Sequence, residues 1–512
     1  MSPQTTGFKK TLTLTGVTVN AMALIAPGAF LWITFQVQAA QVDAAGASTA
    51  MDIWAGLALS LILAFLTAAS YAMLSQLYPE SGPGSSYYFA EKAFLDTAGG
   101  AFHRWARVAK YVVGWVSHLY YWVYPGVMSA MMATMIAYIF GLFNINLTPV
   151  SQLAIAVVFA FATAYVAYRG ITGSTLASLL VNAIQIAALV LVAVLALSYR
   201  FANPQHVTFV FPTLAGVVAP HSMTHVLFQA TIAIFLLVGF ESATALTAEA
   251  LHPSFVGRGV VLSLIIQGLL CYLFEYFATG AWMNTAYTLK DVHGKVLSGF
   301  DAAGLSQAPI GDMVQILGNT MLGGIGFVLV LVIALTVAIA VFGTTLAAMN
   351  TGIRLTYAMG QDEEVPAILG MLHGRFATPH WGVVIMACAS AVIGGFGVLS
   401  VLNLTAVTFL SNIGTFLLYG LTNLVAWVAF RRTPRAHTIK HVLVPLLGMV
   451  ANIAMLVAVF YLGILGGGDT KTAALLASIA TAVWFAIGLV YFAANTRTRG
   501  REVWTVRQPR SA

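Results

Sequence analysis

An acidic residue, Glu241, lies inside an apolar run that extends from about residue 225 to residue 246. A charged side chain near the middle of a membrane-spanning helix costs roughly 2.5–3.5 kcal/mol on insertion scales, so it usually faces a packed or watery interior and has a task there. Gly239, two residues earlier, is a poor helix former, and the helix is therefore easily interrupted at that point. An interrupted helix with an acid at mid-membrane depth is typical of the substrate sites of secondary transporters.

A second acid, Glu275, lies in the apolar segment 273–277. Because desolvation disfavours the charged form of a carboxyl, both acids are candidates for carrying a proton. Glu241 has an equally good structural interpretation, as a hydrogen-bonded acid that joins its helix to a neighbour. His118 is the one histidine clearly inside an apolar segment, and we interpret it as a hydrogen-bonded core residue.

The elements that position these residues follow from composition. Of the 512 residues, 60% are hydrophobic and only 8% are charged, whereas soluble domains have about 25% charged residues. Since about 20 apolar residues cross a bilayer, the chain is expected to be all-α, with twelve membrane spans. The predicted spans are 12–36, 52–78, 107–140, 149–168, 171–198, 224–248, 259–283, 321–357, 381–400, 402–430, 441–465 and 472–495.

The distribution of basic residues supports an even number of spans. With both termini in the cytoplasm, 19 of the 23 basic residues fall on the cytoplasmic side, and the four outside are Arg200, Lys290, Lys295 and Lys471. This is the positive-inside distribution, so the net charge of +7 reflects topology and gives no indication of nucleic-acid binding. The two cysteines, Cys271 and Cys388, lie within spans, which argues against a disulfide framework. The segments 1–11 and 496–512 are predicted to be cytoplasmic ends.

Several short motifs occur in one order along the chain. They combine glycine, proline, tyrosine and isolated charges, and each is weak alone. They are Ala26-Pro27-Gly28-Ala29-Phe30 in the first span, Tyr71-Ala72-Met73-Leu74 and Pro79-Glu80-Ser81-Gly82 at and after the end of the second, Gly239-Phe240-Glu241 in the sixth, Arg354-Leu355-Thr356-Tyr357-Ala358-Met359 with Asp362 at the end of the eighth, and Ile413-Gly414-Thr415 with Tyr419 in the tenth.

Taken together, these motifs resemble those of the amino acid–polyamine–organocation (APC) family of permeases over nearly the whole chain. The resemblance implies a LeuT-like inverted repeat of five plus five helices, here 12–198 and 224–430, followed by two further helices in 441–495. It also implies a substrate site between broken helices 1 and 6. Half-helix amides would there bind a carboxylate, and half-helix carbonyls would bind an ammonium group.

Carried onto this sequence, the resemblance places the break of helix 1 on Ala26, Pro27, Gly28 and Ala29. Pro27 departs from the family's usual Ser or Gly and removes one amide donor. The break of helix 6 falls on 235–239, which makes Phe235, Leu236, Val238 and Gly239 candidate substrate-binding residues. Phe235 matches the position of an aromatic lid in related exchangers, with plain packing as the alternative, and Tyr121 resembles a tyrosine that lines the site.

Only some of the residues that couple transport to an ion in related permeases have counterparts in this chain. Some relatives use a helix 5 lysine, but the corresponding residue here is Gln185, which cannot titrate. Thr344 and Thr345 lie near the family's second sodium site, although threonine hydroxyls also bond helix backbones. Helix 7 is expected on the scaffold side, so a structural role is favoured for Glu275. A proton is therefore the expected coupling ion, and Glu241 and Glu275 are its possible carriers. Sodium is less favoured. No cofactor or metal is expected.

Other functions receive less support from the residues. A membrane haem protein would need two axial histidines, and only His118 lies clearly within a predicted span. The sequence shows no catalytic set of residues at membrane depth, as an enzyme would need. It also shows no ring of charged residues of the kind that lines a channel. The aromatic candidates favour neutral or aromatic amino acids, with cationic amino acids or polyamines, exchange, or a non-transporting sensor as alternatives. We expect a multi-pass protein of a bacterial inner membrane whose partners are a small-molecule substrate and the bilayer.

Overall fold

The computed structural model describes residues 10–25, 28, 31–79, 85–96, 102–170, 175–247, 249–376, 378–431 and 437–498. Nearly all of this part is helical. The helices are α1 (Leu14–Ile25), α2 (Leu31–Ala39), α3 (Ile53–Leu77), α4 (Ser86–Leu95), α5 (Ala106–Leu142), α6 (Pro149–Tyr168), α7 (Thr175–Ala202), α8 (Leu214–Val218), α9 (Met223–Ala233), α10 (Pro253–Ser263), α11 (Leu273–Trp282), α12 (Phe300–Leu305), α13 (Pro309–Met321), α14 (Gly326–Gln361), α15 (His380–Gly397), α16 (Val401–Phe430), α17 (Val444–Leu465) and α18 (Gly468–Thr498).

Eleven helical segments of the described chain are long and apolar enough to cross a membrane. They coincide, within a few residues at each end, with the second to twelfth spans predicted from the sequence. The first predicted span, 12–36, is instead two short helices, α1 and α2, separated by a stretch of which Gly28 is described as a turn. The all-α membrane fold is therefore confirmed, whereas the count of twelve spans and the five-plus-five repeat stay predictions.

Local sequence explains where several helices begin. Thr148 accepts a hydrogen bond from the Ser151 amide at 3.2 Å, and Pro149 occupies the first turn of α6, where a missing N–H is harmless. The 381–430 stretch divides at Ser400, as the sequence predicts, because the Ser400 hydroxyl caps α16 by accepting from the Asn403 amide at 3.1 Å.

One span contains a long irregularity. Residues Leu264–Tyr272 between α10 and α11 form a π-helix. A π-helix has more residues in each turn than an α-helix, so the face that α11 presents to its neighbours is rotated relative to a continuous α-helix. Glu275 lies in the first turn of α11, directly after this segment.

The centre of the molecule is α5, which packs against α14, α15 and α16. Buried polar side chains join the surrounding helices, as is usual where no water is available. The amide of Asn423 on α16 donates to Thr67 on α3 at 3.0 Å and accepts from Ser70 at 2.6 Å, while Asn452 on α17 donates to the same Thr67 hydroxyl at 3.1 Å. These bonds fix α16 relative to α3 and α17.

The loop 284–320 connects the predicted spans 259–283 and 321–357, and it contains regular secondary structure. Strands β1 (Thr288–Lys290) and β2 (Val296–Ser298) pair antiparallel, and α12 and α13 follow. Asp312 on α13 accepts hydrogen bonds from Tyr287 at 2.8 Å and from Ser306 at 2.5 Å. Burial nevertheless raises the pKa of the Asp312 carboxyl above its usual range.

Candidate functional site

The break in the sixth predicted span centres on Gly239. After α9 the chain continues as a short 3₁₀ turn, Ile234–Leu236, and resumes as a second 3₁₀ segment, Phe240–Leu246. Gly239 has φ +118°, a conformation that side-chain-bearing residues rarely adopt. Its freed N–H donates to Oε2 of Glu241 at 2.9 Å, so the acid closes the break on which it lies.

Glu241 is buried and receives three hydrogen bonds. Besides the Gly239 amide, the Tyr419 hydroxyl on α16 donates to Oε2 at 2.8 Å and the Tyr121 hydroxyl on α5 donates to Oε1 at 3.3 Å. Both carboxylate oxygens are therefore occupied by donors. Glu241 joins the broken segment to two neighbouring helices, which is the structural interpretation that the sequence left open.

Aromatic rings surround this acid and the residues before it. Phe235 is completely buried, and its ring lies 5.1 Å from that of Tyr124, centroid to centroid. Leu236 and Val238 are completely buried as well. Phe240 and Tyr419 pack 5.3 Å apart beside Glu241. The sequence analysis singled out Phe235 and Tyr121 but not Tyr124, although Tyr124 lies one helical turn after Tyr121 and thus on the same face.

The break in the first predicted span is bordered by the side chain of Gln185 on α7. Of its four candidate residues, Ala26, Pro27 and Ala29 lie outside the described residues, while Gly28 has φ +84°. The Oε1 atom of Gln185 on α7 occupies the space that a Cβ on Gly28 would need. Gln185 thus contacts the break of the first span.

Carbonyl groups at the end of α1 accept side-chain hydrogen bonds. A helix leaves its last four carbonyls without helical partners. Three of these oxygens accept hydrogen bonds from side chains of neighbouring helices. Gln267 Nε2 donates to the Met22 carbonyl at 2.8 Å, Thr344 Oγ1 donates to the Ala23 carbonyl at 2.9 Å, and the Tyr272 hydroxyl donates to the Ile25 carbonyl at 3.0 Å. Thr345 donates within its own helix, to the Val341 carbonyl at 2.6 Å. Both threonine hydroxyls therefore act as donors to backbone oxygens.

Glu275 lies in a different environment from Glu241. It is buried, and neither of its oxygens has a hydrogen-bond partner among the described residues. It borders a small cavity together with Gly28, Trp32 and Gln185, and the Nε2 atom of Gln185 also lacks a partner there. Glu275, for which the sequence favours a structural role, therefore lies beside the break of the first span.

His118 has the role expected from the sequence. Its Nε2 atom lies 3.0 Å from the Thr356 hydroxyl on α14, and the ring packs 4.9 Å from that of Trp122. In the part of the chain that the structure describes, no cluster of histidine, cysteine and acidic side chains suits a metal ion.

Ion pairs join helix ends on the side predicted to be cytoplasmic. Lys110 on α5 contacts Asp362, which follows α14, at 2.6 Å and Glu91 on α4 at 2.8 Å. Arg107 pairs with Glu364 at 2.9 Å, and Tyr87 donates to Asp362 at 2.8 Å. The sequence offered Asp362 only as part of a motif. Its partners are hundreds of residues away along the chain and could not be identified from local spacing.

The eleven long apolar helices of the described residues are those of a multi-pass membrane protein, and one of its spans is interrupted at Gly239. A sequence profile of the family described as amino acid permease matches residues 10–490, and the chain belongs to that family, within the APC superfamily. It is 26% identical over 463 residues to the branched-chain amino acid permease BcaP of Lactococcus lactis subsp. cremoris (strain MG1363), covering 86% of each chain. It is 22% identical over 469 residues to the methylthioribose transporter of Bacillus subtilis (strain 168), covering 88% of this chain and 87% of the relative.

Proposed function

We propose that this protein is a secondary active transporter that moves a neutral amino acid, aliphatic or aromatic, across the cell's inner membrane by alternating access and in symport with a proton. The substrate class is inferred from the hydrogen bonds that the Glu241 carboxylate already accepts. Both of its oxygens accept hydrogen bonds from Tyr121, Tyr419 and Gly239. The acid nearest the helix 6 break is therefore already hydrogen-bonded at both oxygens, which disfavours its use for a cationic side chain.

The surroundings of the break agree with an uncharged side chain. Phe235, Leu236 and Val238 are fully buried beside Tyr124, and an apolar lining of this kind favours aliphatic or aromatic groups. The name of the lactococcal relative indicates branched-chain substrates, which are neutral as well. Cationic amino acids and polyamines are less favoured because their ammonium groups would need a carboxylate or an unoccupied aromatic face.

Coupling to a proton is assigned to Glu275 rather than to Glu241. Three hydrogen bonds stabilise the ionised form of Glu241, whereas neither oxygen of Glu275 accepts a hydrogen bond of good geometry from a described residue. An ionised carboxylate without a donor is costly in an apolar site, so Glu275 would hold a proton until the cavity beside Gly28 opens to water. Sodium receives less support because the backbone hydrogen bonds that Thr344 and Thr345 make account for both hydroxyls without an ion.

The test is uptake into proteoliposomes of the purified protein, with labelled leucine, phenylalanine, lysine, putrescine and methylthioribose. Each substrate is measured with and without an inward proton gradient, and with and without unlabelled substrate inside. Uptake of leucine or phenylalanine that the gradient accelerates would support the proposal. Uptake confined to lysine or putrescine would overturn the substrate class, and uptake that depends only on internal substrate would identify an exchanger. Absence of flux for all five would contradict transport and favour a sensor.

A further inference from the structure

A groove lies between α3, α10 and the start of the segment that leads into α17. It encloses about 470 Å³. Its α3 wall is a single helical stripe formed by Ala69, Ala72, Met73 and Gln76, and its α10 wall includes Gly257 and Val261. All three elements end on the side predicted to be cytoplasmic, so the groove opens where the membrane meets water.

The groove exists because small residues bring the two walls together without filling the space above. A Cβ on Gly257 would lie 3.0 Å from the carbonyl oxygen of Ala72, so α10 and α3 are close to backbone contact there. Ala69 and Ala72 have no side chain beyond Cβ. The result is a mainly apolar floor, wide enough for a hydrocarbon chain, rather than a polar binding site.

Two basic side chains border this floor. Arg258 and Lys440 line the groove, both are exposed, and neither side chain has a hydrogen bond or ion pair to another described residue. Some other cations on the same side are paired, such as Arg107 with Glu364. Among the described residues, no acidic side chain lines the groove. The described lining therefore carries two positive charges at the edge of an apolar surface.

We propose that this groove binds an anionic phospholipid. One acyl chain would lie on the floor formed by Ala69, Ala72 and Val261, and the headgroup phosphate would lie between Arg258 and Lys440. Basic residues next to transmembrane helices on the cytoplasmic side attract anionic headgroups, and the attraction is local because salt screens it. A free phosphate would satisfy the two cations but not the apolar floor, and a zwitterionic lipid would satisfy the floor but carry no net charge.

The experiment measures lipid retention by the full-length protein in mild detergent. The protein is incubated with equal amounts of phosphatidylglycerol and phosphatidylcholine of identical acyl chains, and bound lipids are counted by native mass spectrometry. The wild type is expected to retain phosphatidylglycerol about tenfold over phosphatidylcholine. Arg258→Gln with Lys440→Gln is expected to bring this ratio close to one, while Arg258→Lys preserves it.

Matched variants distinguish lipid binding in the groove from electrostatic attraction of anionic lipid to any basic surface. Arg104→Gln with Arg497→Gln removes the same charge from exposed positions on the same side, outside the groove, and is expected to leave the ratio unchanged. Val261→Trp fills the groove without altering charge and is expected to lower retention of both lipids. An equal loss of preference in the two double variants, or no preference in the wild type, would overturn the proposal. Displacement of phosphatidylglycerol by millimolar glycerol phosphate would instead identify an anion site without a lipid chain.

Discussion

The hydroxyl of Tyr419 on α16 lies 2.8 Å from Oε2 of Glu241, the acid that closes the break of the sixth predicted span. The two residues are 178 positions apart in sequence. This bond and the one from Tyr121 connect a segment with little regular helix of its own to α16 and α5, which are long and continuous. Glu241 thus serves as the anchor of the break, and its neighbours can be tested one at a time.

Tyr419→Phe removes one donor from this buried carboxylate. Leaving a buried acceptor short of a partner costs about 1–3 kcal/mol, so the variant is expected to have a lower melting temperature in detergent. The measurement is thermal unfolding followed by intrinsic fluorescence or by labelling of the buried Cys271. Tyr461→Phe is the control, because that residue is 49% exposed on α17. Equal melting temperatures for the wild type and Tyr419→Phe would show that Glu241 does not depend on this bond.

Gly28→Ala tests the geometry of the first break. An alanine there would have to adopt φ near +84° and would overlap Oε1 of Gln185. The left-handed conformation alone costs roughly 1–2 kcal/mol, so initial uptake is expected to fall about tenfold or more. Adding Gln185→Ala should restore part of the rate, because it removes the overlap but not the backbone strain. Gly343→Ala on α14, where an added Cβ meets nothing, is the control. Failure of Gln185→Ala to improve Gly28→Ala would argue against this contact.

Asp362→Asn tests whether the ion pairs of Lys110 hold the predicted cytoplasmic side closed. The substitution weakens the contacts of Asp362 with Lys110 and Tyr87, and the protein is expected to open more often on that side. A cysteine at Ala358, buried near the end of α14, would then react several-fold faster with an impermeant maleimide in a Cys388→Ser background. Asp96→Asn, an exposed acid at the end of α4, should leave the rate unchanged. The same acceleration in both variants would contradict a gating role.

The raised pKa of Asp312 predicts a pH dependence of stability. In the unfolded chain this carboxyl loses its proton near pH 3.9, whereas in the folded protein burial keeps the proton bound to higher pH. The folded state then binds more protons than the unfolded state, so stability falls as pH rises through this window. The melting temperature of the wild type relative to Asp312→Asn is expected to decrease from pH 4 towards pH 7. Asp301→Asn, an exposed acid on α12, should show no such trend, and a rising difference would reverse the sign and refute the account.

Features set by local sequence could be predicted. The spans follow from runs of apolar residues, and the break of the sixth span follows from Gly239 beside a mid-membrane acid. The family resemblance gave Gln185 only as the position of a coupling lysine in helix 5, and its contact with Gly28 comes from the structure. The spans and the break of the sixth span could be predicted because each depends on a few adjacent residues.

Features that depend on distant contacts or helical phase could not be predicted. Nothing in the sequence before Glu275 predicts the nine residues of π-helix that precede α11. The pairing of Arg107 with Glu364 spans 257 residues, which no spacing rule reaches. The hydrogen bonds that Glu241 receives from Tyr419 and Tyr121 likewise join residues 178 and 120 positions apart.

Substrate-evoked proton entry tests the central claim most directly. Proteoliposomes containing a trapped pH-sensitive dye would receive leucine, or whichever substrate the uptake panel identifies, and internal acidification would be recorded for the wild type, Glu275→Gln and Glu241→Gln. Uptake by counterflow, measured in parallel, confirms that each variant still moves substrate. The account predicts acidification with the wild type and with active Glu241→Gln protein, and counterflow without acidification with Glu275→Gln. Undiminished acidification with Glu275→Gln, or its loss only with Glu241→Gln, would contradict the account.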